Sequence, residues 1–309
     1  MAEDRRNTEE SRAEPLILVT NDDGIDSPGL IAAVEAVLRL GRLVVVAPTT
    51  QQTARDRSIV RDSHDLLGGV ELHGRSNQPT HGEEDPLHGV EAYHIDASPA
   101  LAVQHAMNTI FYERWPDLLV SGVNYGENLG MDITISGTLG AAFQGAAYGI
   151  PAIAASQASD IAHHYEYGEM DWEGATRVVR KYAQKLLAKI VELPPPSAAA
   201  GSRRLADPRP FPFDILKVDI PHDCPPGTPE RLTRLSRRHY FRHTIENPRP
   251  DSQIKEGRTW VDEDPELVVE GTDVHAIAFE KVVSVTPLTV DFTASMGDTA
   301  GALGLGEDA

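Results

Sequence analysis

The chain has 309 residues, 40% of them hydrophobic, with 47 acidic against 28 basic side chains and a formal charge of -19. That balance argues against nucleic-acid polymers as partners, since a phosphate backbone is bound chiefly by Lys and Arg, and the single cysteine, Cys224, excludes an intramolecular disulfide and a multi-cysteine zinc site. The length suffices to bury a large core, and no apolar run has the length of a membrane span or the look of a signal segment, so a cytoplasmic protein with no membrane partner is expected. Of the basic residues six are Lys and 22 are Arg. A surface so acidic and lysine-poor is expected of a protein working at high salt, where self-repulsion is screened, or of a merely acidic mesophile.

In chain order, residues 1–14 are charged and polar and read as a disordered lead-in. Leu16 to Thr20 is a short apolar and β-branched run, expected to be a buried strand, and it ends abruptly in Asn21-Asp22-Asp23-Gly24. Ser27 then caps a helix with Pro28 at its first position, and Leu30, Ile31, Val34, Val37 and Leu38 follow at helical spacing. Two carboxylates thus stand at the carboxyl end of a strand, where open α/β sheets bind ligands. Adjacent Asp22 and Asp23 suit an Asp-Gly turn, or a hard divalent cation such as Mg2+ or Mn2+ that offsets their repulsion.

Arg42 to Ala47 supplies a second buried strand and completes a right-handed β-α-β unit, running into a polar loop from Pro48 to Ser58. Short strands are expected at Val70–His73 and Val90–Ile95, separated by a Gly-, Pro- and acid-rich loop. The histidines there, His64, His73, His81, His88 and His94, share no ligand spacing and read as surface residues. Ser98-Pro99 opens a helix through Phe111, and Leu118 to Ser121 is a buried strand ending in a Gly-rich loop with Asn124 near its edge. That Asn suits a structural turn or an amide oxygen ligand. A small-residue helix beginning at Ser136, Gly137 and Thr138 offers free N-H groups to phosphate, although close packing alone also explains its Ala and Gly content. Further on come a strand at Ile150–Ser156, a helix at Trp172–Leu193, a Pro- and Ala-rich surface loop at 194–212, a strand at Ile215–Ile220 and a flexible tail at 296–309.

Several of these stretches together resemble a known family. Asn21-Asp22-Asp23-Gly24 with Pro28-Gly29, Val46-Ala47-Pro48, Ser121-Gly122-Val123-Asn124 with Asn128-Leu129-Gly130, Ser136-Gly137-Thr138 and Gly149-Ile150-Pro151-Ala152 stand in the order found in the SurE (survival protein E) family of metal-dependent nucleotidases and acid phosphatases. Ile215 to Pro221, Gly271-Thr272-Asp273 and Val282 to Ala294 are similar to later segments of that family. The resemblance spans roughly residues 15–295, read as one domain. It implies an α/β, Rossmann-like three-layer sandwich with a mostly parallel sheet and a C-terminal β-rich arm, residues 232–261, that mediates a homodimer or homotetramer. It also implies hydrolysis of nucleoside 5'- and 3'-monophosphates by one divalent metal ion, Mg2+ or Mn2+, per subunit. Carried over, the metal ligands are Asp22, Asp23, Thr53 and Asn124; Asp22 and Asp23 are catalytic, and Asn21, Ser136, Gly137 and Thr138 hold phosphate. Thr53 stands where the family usually has Ser and keeps the hydroxyl. Met131 and Ile135 replace a common Asp and Tyr, and Asp96-Ala97-Ser98-Pro99 replaces Gly-Thr-Pro, changes that bear on substrate preference. Two rivals are a haloacid-dehalogenase-like phosphatase, which needs Asp-x-Asp rather than adjacent Asp residues, and a non-catalytic nucleotide-binding module, which needs no carboxylate pair.

Overall fold

Runs of apolar strand residues separated by helices call for a sheet buried on both faces. The computed structural model, which describes residues 14–52, 58, 67–74, 85–159, 169–192, 210–253, 257–262, 264–294, 299 and 302, has that form. The elements are β1 (Leu16–Thr20), α1 (Pro28–Val37), β2 (Arg42–Pro48), β3 (Gly68–Gly69), β4 (Glu91–Ile95), α2 (Pro99–Thr109), β5 (Leu118–Tyr125), α3 (Gly137–Ala147), β6 (Ala152–Gln157), α4 (Glu173–Val191), β7 (Ile215–Ile220), β8 (Glu230–Leu232), β9 (Phe241–Ile245), β10 (Gly257–Val261) and β11 (Val283–Leu288). Nine strands form one sheet in the order β3-β4-β2-β1-β5-β6-β7-β11-β8, while β9 and β10 pair as a separate antiparallel hairpin. Pairing in the large sheet is parallel except at β3/β4 and β7/β11.

The period of two along each strand divides the core between two layers. Ile17, Val19 and Val45 pack with α1 and α4 on one face, and Leu16, Leu18, Val44 and Val46 pack with α2 and α3 on the other. From β1 the chain winds outward through β2 and β4 in one direction and through β5, β6 and β7 in the other, so the order reverses between β1 and β5. That reversal opens a crevice beyond their carboxyl ends.

One expected strand is not formed. Val70–His73 lies outside any strand, and the pairing with β4 is made by Gly68 and Gly69 instead. Val70 still donates one N-H to the Ala92 carbonyl, after which Leu72 turns into the core and the Asp85 carboxylate takes the Gly74 N-H, ending the ladder. Residues 1–13, most of the 194–212 loop, most of the tail, Thr53, His64 and His81 lie outside the described residues. Among the described residues no helix is long and apolar enough to cross a membrane.

Candidate active site

The turn after β1 is built by its own side chains. The Asn21 amide donates to the Gly24 carbonyl (3.0 Å) and to Ser27 Oγ (2.7 Å), while the same hydroxyl oxygen accepts from Leu30 N and caps α1. Gly24 sits at φ +104°, where a side chain is strained, and a Cβ there would stand 3.2 Å from the Thr50 backbone. Ile25 N donates to the Pro48 carbonyl and Gln52 N to the Asp22 carbonyl (2.7 Å), so the loop after β2 is tied to the turn after β1. Asn21, expected to bind phosphate, is fully buried with its amide nitrogen spent on the turn, and so serves that turn directly.

Asp22 and Asp23 are 4% and 7% exposed. Asp23 Oδ2 accepts from Tyr125 N (3.0 Å) and Asp22 Oδ1 from the Thr138 hydroxyl (2.6 Å), so the pair joins β1 to both β5 and α3. The register of β5 against β6 shifts between Ser121 and Asn124, and this irregularity brings Asn124 to the edge of the crevice. The Asn124 amide nitrogen donates to the Gly126 carbonyl (2.6 Å), which leaves its oxygen as the atom for a ligand.

Ser136 Oγ caps α3 by accepting from Leu139 N, whereas the N-H groups of Gly137 and Thr138, in the first turn, have no intrahelical acceptor. A Cβ on Gly137 would come within 2.6 Å of Asp22 Cβ. Only glycine allows the helix start to approach the carboxylate so closely. Thus Asp22, Asp23, Asn124, Ser136, Gly137 and Thr138 converge, whereas the position of Thr53 lies outside the described residues.

Burial pushes the Asp22 carboxyl up to about 6, against the pull of the Thr138 hydroxyl. No cationic side chain among the described residues pairs with Asp22, and the buried Gln52 Oε1, on the adjoining loop, has no donor among them. Two desolvated carboxylates beside neutral oxygens form a hard donor set that fits Mg2+ or Mn2+.

These groups line a cavity of about 660 Å3 whose opposite wall includes Asp132, His239, Phe241 and Arg242. Asp132 belongs to the turn Met131–Thr134, and its carboxylate accepts from Tyr240 N (2.7 Å) and Phe241 N (2.8 Å) and bonds His239 Nδ1 (2.6 Å). The wall is anchored from behind by a fully buried triad. Lys217 of β7 pairs with Asp219 and, at 2.9 Å, with Asp273. Asp219 also accepts from Asn128 N, and Asp273 from Gly130 N (2.9 Å) and Ser236 N (2.8 Å). Burial raises Asp219 to about 6 although the Lys217 ammonium pulls it down. Burial lowers Lys217, but its two carboxylates outweigh that and leave it raised.

No local sequence pattern marks this second wall. Asp132 was screened by the more conspicuous Met131 and Ile135 beside it, and His239 lay in a segment read only as an oligomer arm. Two charged residues inside the otherwise apolar Ile215-Leu216-Lys217-Val218-Asp219-Ile220 were the available signal of the anchor.

A mostly parallel, doubly wound sheet with paired carboxylates and a helix N-terminus at its switch point defines a Rossmann-like α/β protein. Comparison with known proteins gives the narrower assignment. Residues 17–242 match the family model "Survival protein SurE". The chain is 38% identical over 284 residues to the 5'-nucleotidase SurE of Methanocella arvoryzae, covering 90% of this chain and 93% of that one. It is 34% identical over 288 residues to the 5'-nucleotidase SurE of Methanothrix thermoacetophila, covering 91% and 94%. The crystal structure of the SurE protein from Aquifex aeolicus superposes with a TM-score of 0.66 at 28% identity, over 94% of this chain and all of that one. The chain belongs to the SurE family.

Proposed function

We propose that the chain is a 5'-nucleotidase that hydrolyses nucleoside 5'-monophosphates, and 3'-monophosphates as well, to nucleoside and phosphate with one divalent ion, Mg2+ or Mn2+, per subunit. The observation that carries this reading is the buried Asp22–Asp23 pair locked to the start of α3 by Thr138 and by the absence of a side chain at Gly137. The names of the relatives support the 5'-nucleotidase class.

Asp22, Asp23, Asn124 and the Thr53 hydroxyl would hold the ion. When bound, it supplies charge that polarises a phosphoryl oxygen and acidifies a neighbouring water. The Gly137 and Thr138 N-H groups and the Ser136 hydroxyl face the equatorial oxygens, whose charge they stabilise in the transition state. Thr138 Oγ1, donating to Asp22, keeps that carboxylate oriented. Asn21 serves phosphate through the turn it fixes. Exposed Leu232 and Trp260 support use of the 232–261 arm in a homodimer or homotetramer, and the enzyme is proposed to be cytoplasmic.

The test is release of phosphate from nucleoside 5'- and 3'-monophosphates and from p-nitrophenyl phosphate, with and without Mn2+. Activity that vanishes in EDTA and returns with Mn2+ is expected. Full turnover in chelated protein would refute the metal reading, and no turnover of any substrate would leave a binding module.

A further inference from the structure

We infer that His239, held by Asp132, is the general acid that protonates the leaving alcohol oxygen of the substrate. This inference rests on the phosphomonoesterase reading above. His239 lines the same cavity as Asp22 and Asp23, on the facing wall. Asp132, 8% exposed, bonds His239 Nδ1 at 2.6 Å and accepts two backbone N-H groups with its other oxygen. A carboxylate so fully occupied by donors acts as the acceptor, which places a proton on Nδ1 and makes Nε2 the atom that exchanges protons with the cavity. The imidazole itself is 62% exposed, so it is free to meet a substrate, whereas its partner is fixed.

The other charged groups near the ring do not fill this role. Arg242 and Arg238 are engaged by Asp262 at 3.0 and 2.9 Å and give up no proton near neutral pH. His243 bonds Thr259 Oγ1 through Nδ1 on the β9–β10 hairpin. Asp22 and Asp23 lie across the cavity and are assigned to the ion.

In the step proposed, the bond between phosphorus and the ester oxygen breaks and its electron pair goes to that oxygen. The oxygen takes the Nε2 proton of the imidazolium and leaves as the alcohol. A water oxygen forms the new bond to phosphorus and yields one proton to solvent through the open mouth, and Nε2 recovers one from solvent, so protons balance over the cycle. General acid catalysis of this kind contributes about 10²–10⁴-fold, and the contribution shrinks as the leaving group becomes a better one.

The experiment compares wild type with His239→Ala and His239→Gln on two substrates, a nucleoside 5'-monophosphate, whose alkoxide must be protonated, and p-nitrophenyl phosphate, whose phenolate leaves without a proton. Both variants are expected to lose about a hundredfold or more in kcat on the nucleotide and less than about threefold on the aryl ester. Equal losses on both substrates, or undiminished nucleotide turnover, would overturn the assignment while leaving the enzyme class untouched. Failure of wild type on both substrates would instead remove the reading on which it rests. The thermal melting point of each variant reports folding, and retained aryl-ester turnover shows that the rest of the site is intact.

Discussion

The cavity has two walls made in different ways. One, residues 20–27, 121–125 and 136–138, is assembled from strand ends and helix caps of the parallel sheet; its turns and caps are shaped by neighbours close in sequence, while its two carboxylates are tied to groups 102 and 116 residues away. The other, residues 126–132 and 236–243, has little regular structure and is fixed by buried carboxylates reaching across as many as 143 residues of chain. On the proposed function the first wall would supply charge and N-H donors for a phosphate, and the second a positioned imidazole.

The comparison breaks first at the carboxylates. Asp23→Asn keeps volume and the Tyr125 N-H contact but halves the negative charge, so kcat is expected to fall about a thousandfold with an unchanged melting point in EDTA. Near wild-type turnover at saturating Mn2+ would contradict the division of labour. On the other wall, Lys217→Met strands two buried carboxylates together. Removing one partner of a buried ionic cluster costs about 3–5 kcal/mol, read as a lower denaturant midpoint, and the double variant with Asp219→Asn should recover part of it. Activity per folded molecule should fall through KM for the nucleotide, with kcat on p-nitrophenyl phosphate nearly retained.

Gly137→Ala tests how tightly the first wall is packed. The new methyl would overlap Asp22 Cβ at 2.6 Å, which predicts a destabilisation of about 1–3 kcal/mol and a loss of metal affinity by isothermal titration. Unchanged affinity would show that the helix start tolerates a shift.

The smallest effect is one of pH on the metal-free protein. Asp22 and Asp219 are raised from 3.8 to about 6, so between those values the folded chain holds protons that the unfolded chain releases. Their contribution is present below the unfolded value and is lost as pH rises through about 6. Asp85 and Asp262, held below the ordinary range, act in the opposite sense. The difference between wild type and Asp22→Asn isolates one term. In EDTA the wild-type melting point should drop relative to the variant from about pH 4 to about pH 6.5, and Mn2+ at neutral pH should recover the loss. Parallel curves would show that Asp22 ionises normally.

Much of the first wall was legible because each part announces itself locally. An apolar run stops at Asn21-Asp22-Asp23-Gly24, Ser27-Pro28, Ser98-Pro99 and Ser136 stand before helices, and each proved to be a cap. The family resemblance then ordered these parts, and the sheet and its helices agree with it. Val70–His73 failed because alternation alone does not supply a partner strand, and the ladder is cut by Asp85. Asp132 and His239 carry no local pattern. They are 107 residues apart, and only the docking of the hairpin root on the turn makes them a pair.

That docking has a consequence for biosynthesis. Asp273 accepts N-H groups from Gly130, Ser236 and Val274 and an ammonium hydrogen from Lys217, so segments made far apart in time meet on one carboxylate. A ribosome releases β1 through β6, with Asp22 and Asp23, long before residue 273 appears. During that interval the nascent chain carries an acidic pair able to attract cations but has no second wall, no Asp132–His239 contact and no enclosed volume. The second wall can be held in place only once residues up to Asp273 have been added, so truncation before that residue is expected to damage the cavity far more than its distance from Asp22 suggests.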